Sequence, residues 1–120
     1  RSAVLEYDRR HGFRGPAGKA TLPAVEGPDD LDSALARYPT VGGLLPAVVL
    51  AVDGAAASVA TRNRGRFEIP FENLRWARPV TGPGAVGPAP RRPADVLARG
   101  DVVYVLPQQG GRALLVQVPQ

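Results

Sequence analysis

Apolar residues recur at helical spacing in the first third of the chain, and form continuous or alternating strand-like runs further on. In "SAVLEYDRR" apolar residues recur at helical spacing, and Gly12 can end that helix by adopting the left-handed conformation. We therefore predict a helix ending near Arg10 and then a glycine- and proline-rich connector, together residues 1–28. "DDLDSALARYP" places apolar residues at i, i+3 and i+4 before a proline, which predicts a second short helix over residues 29–38.

Residues 44–69 have the pattern of a three-stranded antiparallel meander. "LLPAVVLAV" is apolar and β-branched, an Asp-Gly pair follows as a hairpin turn, and "AAASVATR" continues as a second strand. After "NRG", a second turn, "RFEI" alternates so that Phe67 and Ile69 point inward. Arg66 and Glu68 of the same strand then point outward.

The rest of the chain predicts a helical turn, a long loop and a closing hairpin. Residues 71–77, "FENLRWA", have the spacing of a helical turn that plugs an open end of a sheet. Residues 79–93 are too rich in proline for a helix and too interrupted for a strand, so we predict an exposed, flexible loop. Residues 101–118 read as two strands joined by the glycine-rich loop "QQGG".

The elements together predict a mainly β fold. Five short antiparallel strands, a helical plug and long connections describe a small barrel of the oligonucleotide/oligosaccharide-binding (OB) type, which we place at residues 29–120 with short flanking helices. A different five-stranded barrel would give almost the same pattern.

Composition sets bounds on this picture. A chain of 120 residues can bury one modest core, and its 13 prolines and 14 glycines imply many turns. The net charge of +4 is spread along the chain, and the absence of cysteine excludes disulfides and thiolate metal sites while leaving the compartment open. The chain opens on "RSAVLEYDRR", like the middle of a helix, so we expect a segment of a larger protein.

The sequence carries no motif of a reactive site. It holds no glycine-rich phosphate loop, no paired metal-ligand motif and no nucleophile motif, so we predict no catalytic residue, cofactor or metal. His11 is better explained as a connector residue beside Gly12 than as a base or a ligand. Asp29, Asp30 and Asp32 are better explained as helix N-terminal charges than as a cation site.

The densest polar cluster is the candidate binding surface. Its members are Arg62, Arg64, Arg66, Glu68, Arg75, Trp76 and Arg78. Arginine and tryptophan are enriched at interface hot spots, so this cluster is a candidate docking surface for a protein or an anion. The alternative is an ordinary solvated hairpin with the tryptophan in the core. Nucleic acid is not expected as a partner, because the strands offer only Phe67, which points inward, and Tyr104 for base stacking.

Four blocks of the sequence carry a resemblance to a known family. "LEYDRRHGFRGP", "LLPAVVLAVD", "IPFENLRWARP" and "ADVLARGDVVYV" together resemble the accessory domain of class A penicillin-binding proteins of the type 1A group in Gram-negative bacteria. The resemblance spans nearly the whole chain and keeps the blocks in order. It implies an OB-like domain inserted between glycosyltransferase and transpeptidase regions, facing the periplasm, in a bifunctional enzyme tethered to the inner membrane and inhibited by penicillins.

The resemblance also implies a function. In some members of that family an outer-membrane lipoprotein activator touches this region and stimulates cross-linking. We therefore expect a non-catalytic docking domain that passes the signal to the neighbouring transpeptidase domain of the same chain, with residues 12–28 and 79–93 reordering on docking. Two alternatives stay open: direct binding of peptidoglycan strands in a groove lined by Trp76 or Tyr104, or a rigid spacer. No membrane contact by this segment is expected.

Overall fold

The computed structural model describes residue 13 and residues 15–19, 34–62, 64–82 and 85–117. These residues include eight β-strands and three short 3-10 helices. The strands are β1 (Gly18–Lys19), β2 (Leu45–Val52), β3 (Ala56–Ala60), β4 (Arg66–Pro70), β5 (Val80–Gly82), β6 (Ala85–Val86), β7 (Asp101–Pro107) and β8 (Ala113–Val116). The 3-10 helices are Phe71–Asn73, Pro93–Asp95 and Gln109–Gly111. Within the described residues, no helix is long and apolar enough to cross a membrane.

Five of the strands form a nearly closed antiparallel barrel. β2, β3 and β4 are a meander, β7 and β8 are a hairpin, and β2 pairs with β7 from Leu45 opposite Val105 to Val48 opposite Val102. A parallel bridge between Glu68 and Arg112 brings β4 beside the start of β8. The order β2-β3-β4-β8-β7 therefore returns to β2, which confirms the predicted five-stranded OB-like barrel.

The apolar side chains of β2 are buried on both faces of the strand. Ala47 and Val49 lie in the main core inside the barrel, whereas Val48 packs outside it with Val102 and Leu35. All five of these side chains are fully buried. Coverage on both faces explains why β2 reads as a continuous apolar run rather than as an alternation.

The helical predictions have different outcomes. Of the helix predicted over residues 29–38, residues 34–35 are helical and a turn follows, with the Tyr38 N–H donating to the Leu35 carbonyl at 3.0 Å, while residues 29–33 lie outside the described residues. The helix predicted to end near Arg10 also lies outside them. The helical turn predicted at residues 71–77 is the 3-10 helix Phe71–Asn73 with a turn through residue 76.

The prediction of a strandless loop over residues 79–93 is wrong. β5 and β6 form a small antiparallel hairpin, and the 3-10 helix Pro93–Asp95 follows it. The prolines do not prevent the pairing because they fall outside the two strands, and Pro79 still offers a carbonyl, which accepts the Gly87 N–H at 2.6 Å. Strands this short have too few residues to show a period in the sequence.

The connector is part of the barrel rather than a lead-in to it. Phe13 is buried in the main core, and its N–H donates to the Arg78 carbonyl at 2.8 Å. Further on, the Ala17 N–H donates to the Val102 carbonyl at 2.7 Å, and β1 pairs with the part of the β7 edge that β8 leaves open. The packed domain thus includes Phe13 and does not begin at residue 29.

Candidate functional site

The seven residues of the candidate surface do not form one patch. The Phe71 N–H donates to the carbonyl of Ala55, just before β3, whereas Arg62 and Arg64 follow the other end of β3. Five residues of strand separate these points by about 13 Å at the usual rise. Arg62 and Arg64 therefore lie at one end of the barrel and the Arg75–Arg78 segment at the other, with the exposed side chains of Arg66 and Glu68 on β4 between them.

Trp76 is half-buried and holds two distant parts of the chain together. Its indole N–H donates to the carbonyl of Leu115 on β8 at 2.9 Å. Its ring meets the ring of Phe13 edge to face, with the centroids 5.9 Å apart and the planes at 86°. Trp76 thus contacts both the first described residue and the last strand, which agrees with the alternative that placed it in the core.

An open groove of about 560 Å³ runs beside Trp76. We call it the Trp76 groove, and its lining residues are Phe71, Glu72, Arg75, Trp76, Ala89, Pro90 and Leu114. It combines aromatic rings with one carboxylate and one guanidinium. Arg78 does not line it, because its Nε donates to the Gly87 carbonyl at 2.7 Å and fastens the segment after β6.

A second concavity, of about 340 Å³, lies at the opposite end of β3. We call it the arginine cleft, and its lining residues are Ala36, Arg37, Tyr38, Pro39, Thr40, Leu45, Pro46, Thr61, Arg62 and Arg64. Three exposed arginines, Arg37, Arg62 and Arg64, stand around it, and none of the described lining residues is a carboxylate. The arginine cleft is therefore the more strongly basic of the two concavities.

Partly buried hydrogen bonds hold both walls of the arginine cleft. On one wall the Thr61 hydroxyl donates to the Gly65 carbonyl at 2.8 Å and accepts the Arg64 N–H at 3.1 Å. Gly65 has φ of 78°, a conformation that favours glycine. On the other wall the Tyr104 hydroxyl donates to the Pro39 carbonyl at 2.7 Å. The two walls are therefore fixed before any ligand arrives.

Tyr104 lies beneath the Pro39 wall in a small core of its own with Leu44 and Val116, against which Tyr38 packs. Burial disfavours the phenolate and raises the pKa of Tyr104 above 10.0, and the nearby Tyr38 adds to this. The phenol is therefore a dependable hydrogen-bond donor at neutral pH.

Sequence reasoning missed half of this cleft. Arg37 and Tyr38 belong to the segment predicted as a helix, where an exposed arginine carries no special signal. Tertiary contacts bring them beside Arg62 and Arg64: Leu35 packs against Val48 and Val102, and the Tyr104–Pro39 bond joins residues 65 positions apart. His11, Asp29, Asp30 and Asp32 lie outside the described residues. Among the residues that are described, no group of three His, Cys, Asp or Glu could hold a metal ion.

A family model described as the penicillin-binding protein OB-like domain matches residues 13–120. The chain belongs to this family. The model begins at Phe13, the first described residue, which packs into the barrel. The resemblance read from the four sequence blocks is thereby confirmed.

Curated relatives of this penicillin-binding protein OB-like domain are much longer. It is 36% identical over 119 residues to penicillin-binding protein 1A of Pseudomonas aeruginosa, and 36% identical over 122 residues to that of Escherichia coli K12. These matches cover 99% and 100% of this chain but only 14% of each relative. The chain thus spans about a seventh of their length.

The fold has a counterpart in a solved structure. The crystal structure of penicillin-binding protein 1A from Haemophilus influenzae superposes with a TM-score of 0.63, at 21% identity, over 97% of this chain and 15% of that one. Similarity at this level of identity establishes the shared fold.

Proposed function

We propose that this domain is a non-catalytic docking domain of a bifunctional peptidoglycan synthase in the periplasm. In this proposal it binds an outer-membrane lipoprotein activator and passes the signal to the transpeptidase domain of the same chain. Membership of the penicillin-binding protein OB-like family supports the setting, since the curated relatives described above are penicillin-binding proteins 1A. The place of the domain in such a synthase belongs to the proposal.

One observation carries the docking role: arginine side chains stand exposed around a packed barrel. Within the described part of the chain, the side chains of Arg64, Arg66 and Arg75 form no hydrogen bond or ion pair. Fixing an arginine side chain in one conformation costs entropy, and an ion pair on an exposed surface adds little stability in return. Exposed guanidinium groups of this kind suit recognition of carboxylates on a protein surface.

Trp76 offers a route from the barrel surface to the flanking chain. Through Phe13 and Leu115 it contacts the first described residue and the last described strand. In the proposal these two segments lead to the neighbouring domains. A partner that prefers one arrangement of the Trp76 contacts would shift the whole protein toward it.

The test is a titration of the isotope-labelled 120-residue chain with the soluble part of the lipoprotein activator from the same organism, followed by backbone amide shifts. We expect saturable shifts on the barrel surface. An activator that causes no shift at concentrations near its solubility limit would contradict the docking role. A lipoprotein of similar size and charge from another pathway serves as the control.

Direct glycan binding is a second candidate, and the lining of the Trp76 groove favours it. Aromatic rings beside Glu72 and Arg75 offer a stacking surface with hydrogen-bonding groups for sugar hydroxyls. Trp76 is the only tryptophan of the chain, so its fluorescence reports on this groove alone. Saturable quenching by soluble glycan strands supports this candidate, and unchanged fluorescence contradicts it.

A further inference from the structure

The arginine cleft concentrates positive charge in a concave site. Arg37, Arg62 and Arg64 come from two segments that meet only in the folded barrel, and all three are exposed. The described lining residues include no Asp or Glu, and within the described part of the chain the guanidinium groups of Arg37 and Arg64 form no ion pair. Charge of one sign in a concavity raises the local concentration of oppositely charged ligands.

We infer that the arginine cleft binds an acidic peptide segment of a protein partner. Guanidinium groups pair with carboxylates through two parallel hydrogen bonds, which makes arginine the side chain best suited to Asp and Glu. Leu45, Pro39 and Pro46 add apolar surface to the lining, which suits the aliphatic parts of a peptide. That the partner is the lipoprotein activator rests on the proposed function; the acidic chemistry of the ligand rests on the cleft.

The cleft favours a peptide over a nucleotide. Tyr38 is the only aromatic residue in the described lining, and that half-buried ring packs against two core clusters, with the Arg37 guanidinium 6.0 Å from its centroid. Base stacking requires a free aromatic face, and this ring is already engaged. A cleft of about 340 Å³ accommodates a few side chains of an extended peptide.

The cleft is also preorganised for binding. The Thr61 hydroxyl holds the Arg64 backbone, and the Tyr104 hydroxyl holds the wall that carries Arg37. A ligand therefore orders side chains but no backbone, which lowers the entropic cost of association. Preorganisation on both walls distinguishes this site from arginines scattered on mobile loops.

The experiment measures binding of an acetylated and amidated peptide of sequence Asp-Glu-Leu-Glu-Asp to the 120-residue chain by amide shifts and calorimetry. The cleft variant is Arg37→Glu with Arg64→Glu. The matched control is Arg99→Glu with Arg112→Glu, two exposed arginines outside the cleft whose reversal changes the net charge equally. Circular dichroism melting shows whether each variant folds.

We expect shifts on residues 36–40 and 61–65, an affinity about tenfold lower in the cleft variant, and less than a twofold change in the control. Equal weakening by both variants, or shifts confined to residues 71–76, would overturn the inference. The activator separates this inference from the proposed function. If the activator binds the wild-type chain and the cleft variant equally, the inference fails and the proposed function stands. If the peptide binds the cleft but the activator does not bind the chain, the inference stands and the proposed function fails.

Discussion

Gly18 lies beneath the end of the Tyr38 side chain, and a methyl group at this position would overlap the Tyr38 hydroxyl. Tyr38 lines the arginine cleft and packs against two core clusters, so a displaced ring would disturb both. We expect Gly18→Ala to cost about 1–2 kcal/mol of unfolding free energy, the usual effect of overpacking. Urea unfolding measures this cost, and titration with the acidic peptide measures the effect on the cleft.

Gly54→Ala is the matched control, because Gly54 lies in a turn where an added Cβ meets nothing within 4 Å. Adding Tyr38→Phe to Gly18→Ala removes the overlapping oxygen and is expected to restore part of the lost stability. A Gly18→Ala chain as stable as the wild type would show that the Tyr38 ring has room to move aside.

Ionisation of Tyr104 is expected to lower the stability of the barrel at alkaline pH. Burial raises the pKa of this phenol above 10.0, so the folded protein holds the proton more tightly than the unfolded chain. The corresponding stability is fully present below pH 10.0 and is lost as the pH rises through the folded pKa. We expect the unfolding free energy, measured in urea between about pH 8 and pH 11, to fall on the alkaline side.

The Tyr104→Phe variant separates the two roles of this side chain. It lacks the bond to the Pro39 carbonyl, so it is expected to lose about 1 kcal/mol at neutral pH. It also lacks the ionisable group, so its alkaline slope should be shallower than that of the wild type. Identical slopes for the two proteins would assign the alkaline loss to other groups.

At the scale of elements, the turn between β3 and β4 is organised by one hydroxyl. Thr61 is 3% exposed, and its hydroxyl donates to the Gly65 carbonyl while accepting the Arg64 N–H. Thr61→Val keeps the shape of the side chain and removes both hydrogen bonds. We expect it to lower the unfolding free energy by about 1–2 kcal/mol and to weaken binding of the acidic peptide. Thr61→Ser keeps the hydroxyl and is the control. Wild-type binding by Thr61→Val would mean that the turn does not need this hydroxyl to present Arg64.

The elements that could be predicted from the sequence are those with a local period. β4 alternates, with the half-buried Phe67 and the buried Ile69 turned inward, and the run of β2 reflects burial on both faces. β1, β5 and β6 could not be predicted, because strands of two or three residues depend on pairing with a distant or irregular partner. The burial of Phe13 could not be predicted for the same reason, because a single aromatic residue among glycines and prolines is not part of a repeating apolar pattern.

The candidate site shows the same limit. Charge density along the chain singled out Arg62 and Arg64, and they do line a basic concavity. Arg37 and Tyr38 could not be added to them, since their proximity depends on tertiary contacts. The sequence also suggested one surface containing Arg75, but the length of β3 separates Arg75 from Arg62. The sequence gives the residue types, but spacing along the chain does not give the distances between their side chains in the fold.

At the scale of the whole molecule, the arginine cleft and the Trp76 groove lie at opposite ends of β3. The arginine cleft is bounded by residues 36–40 and 61–65, and the Trp76 groove by residues 71–76, 89–90 and 114. Under the proposed function, one end of the barrel is free for the activator while the other adjoins the catalytic domains. Binding and transmission then depend on different residues, and variants can separate them.

We expect Trp76→Phe in the full-length synthase to bind the activator with wild-type affinity but to respond with less stimulation of cross-linking. The phenyl ring retains much of the packing against Phe13 and loses the bond to the Leu115 carbonyl, which weakens one of the two links by about 1 kcal/mol. Arg37→Glu with Arg64→Glu should instead lose affinity while retaining basal cross-linking. Binding and cross-linking assays on the same preparations distinguish the two. If Trp76→Phe and the cleft variant lose affinity to the same extent, recognition and transmission share one surface, and the division between the two ends of the barrel is wrong.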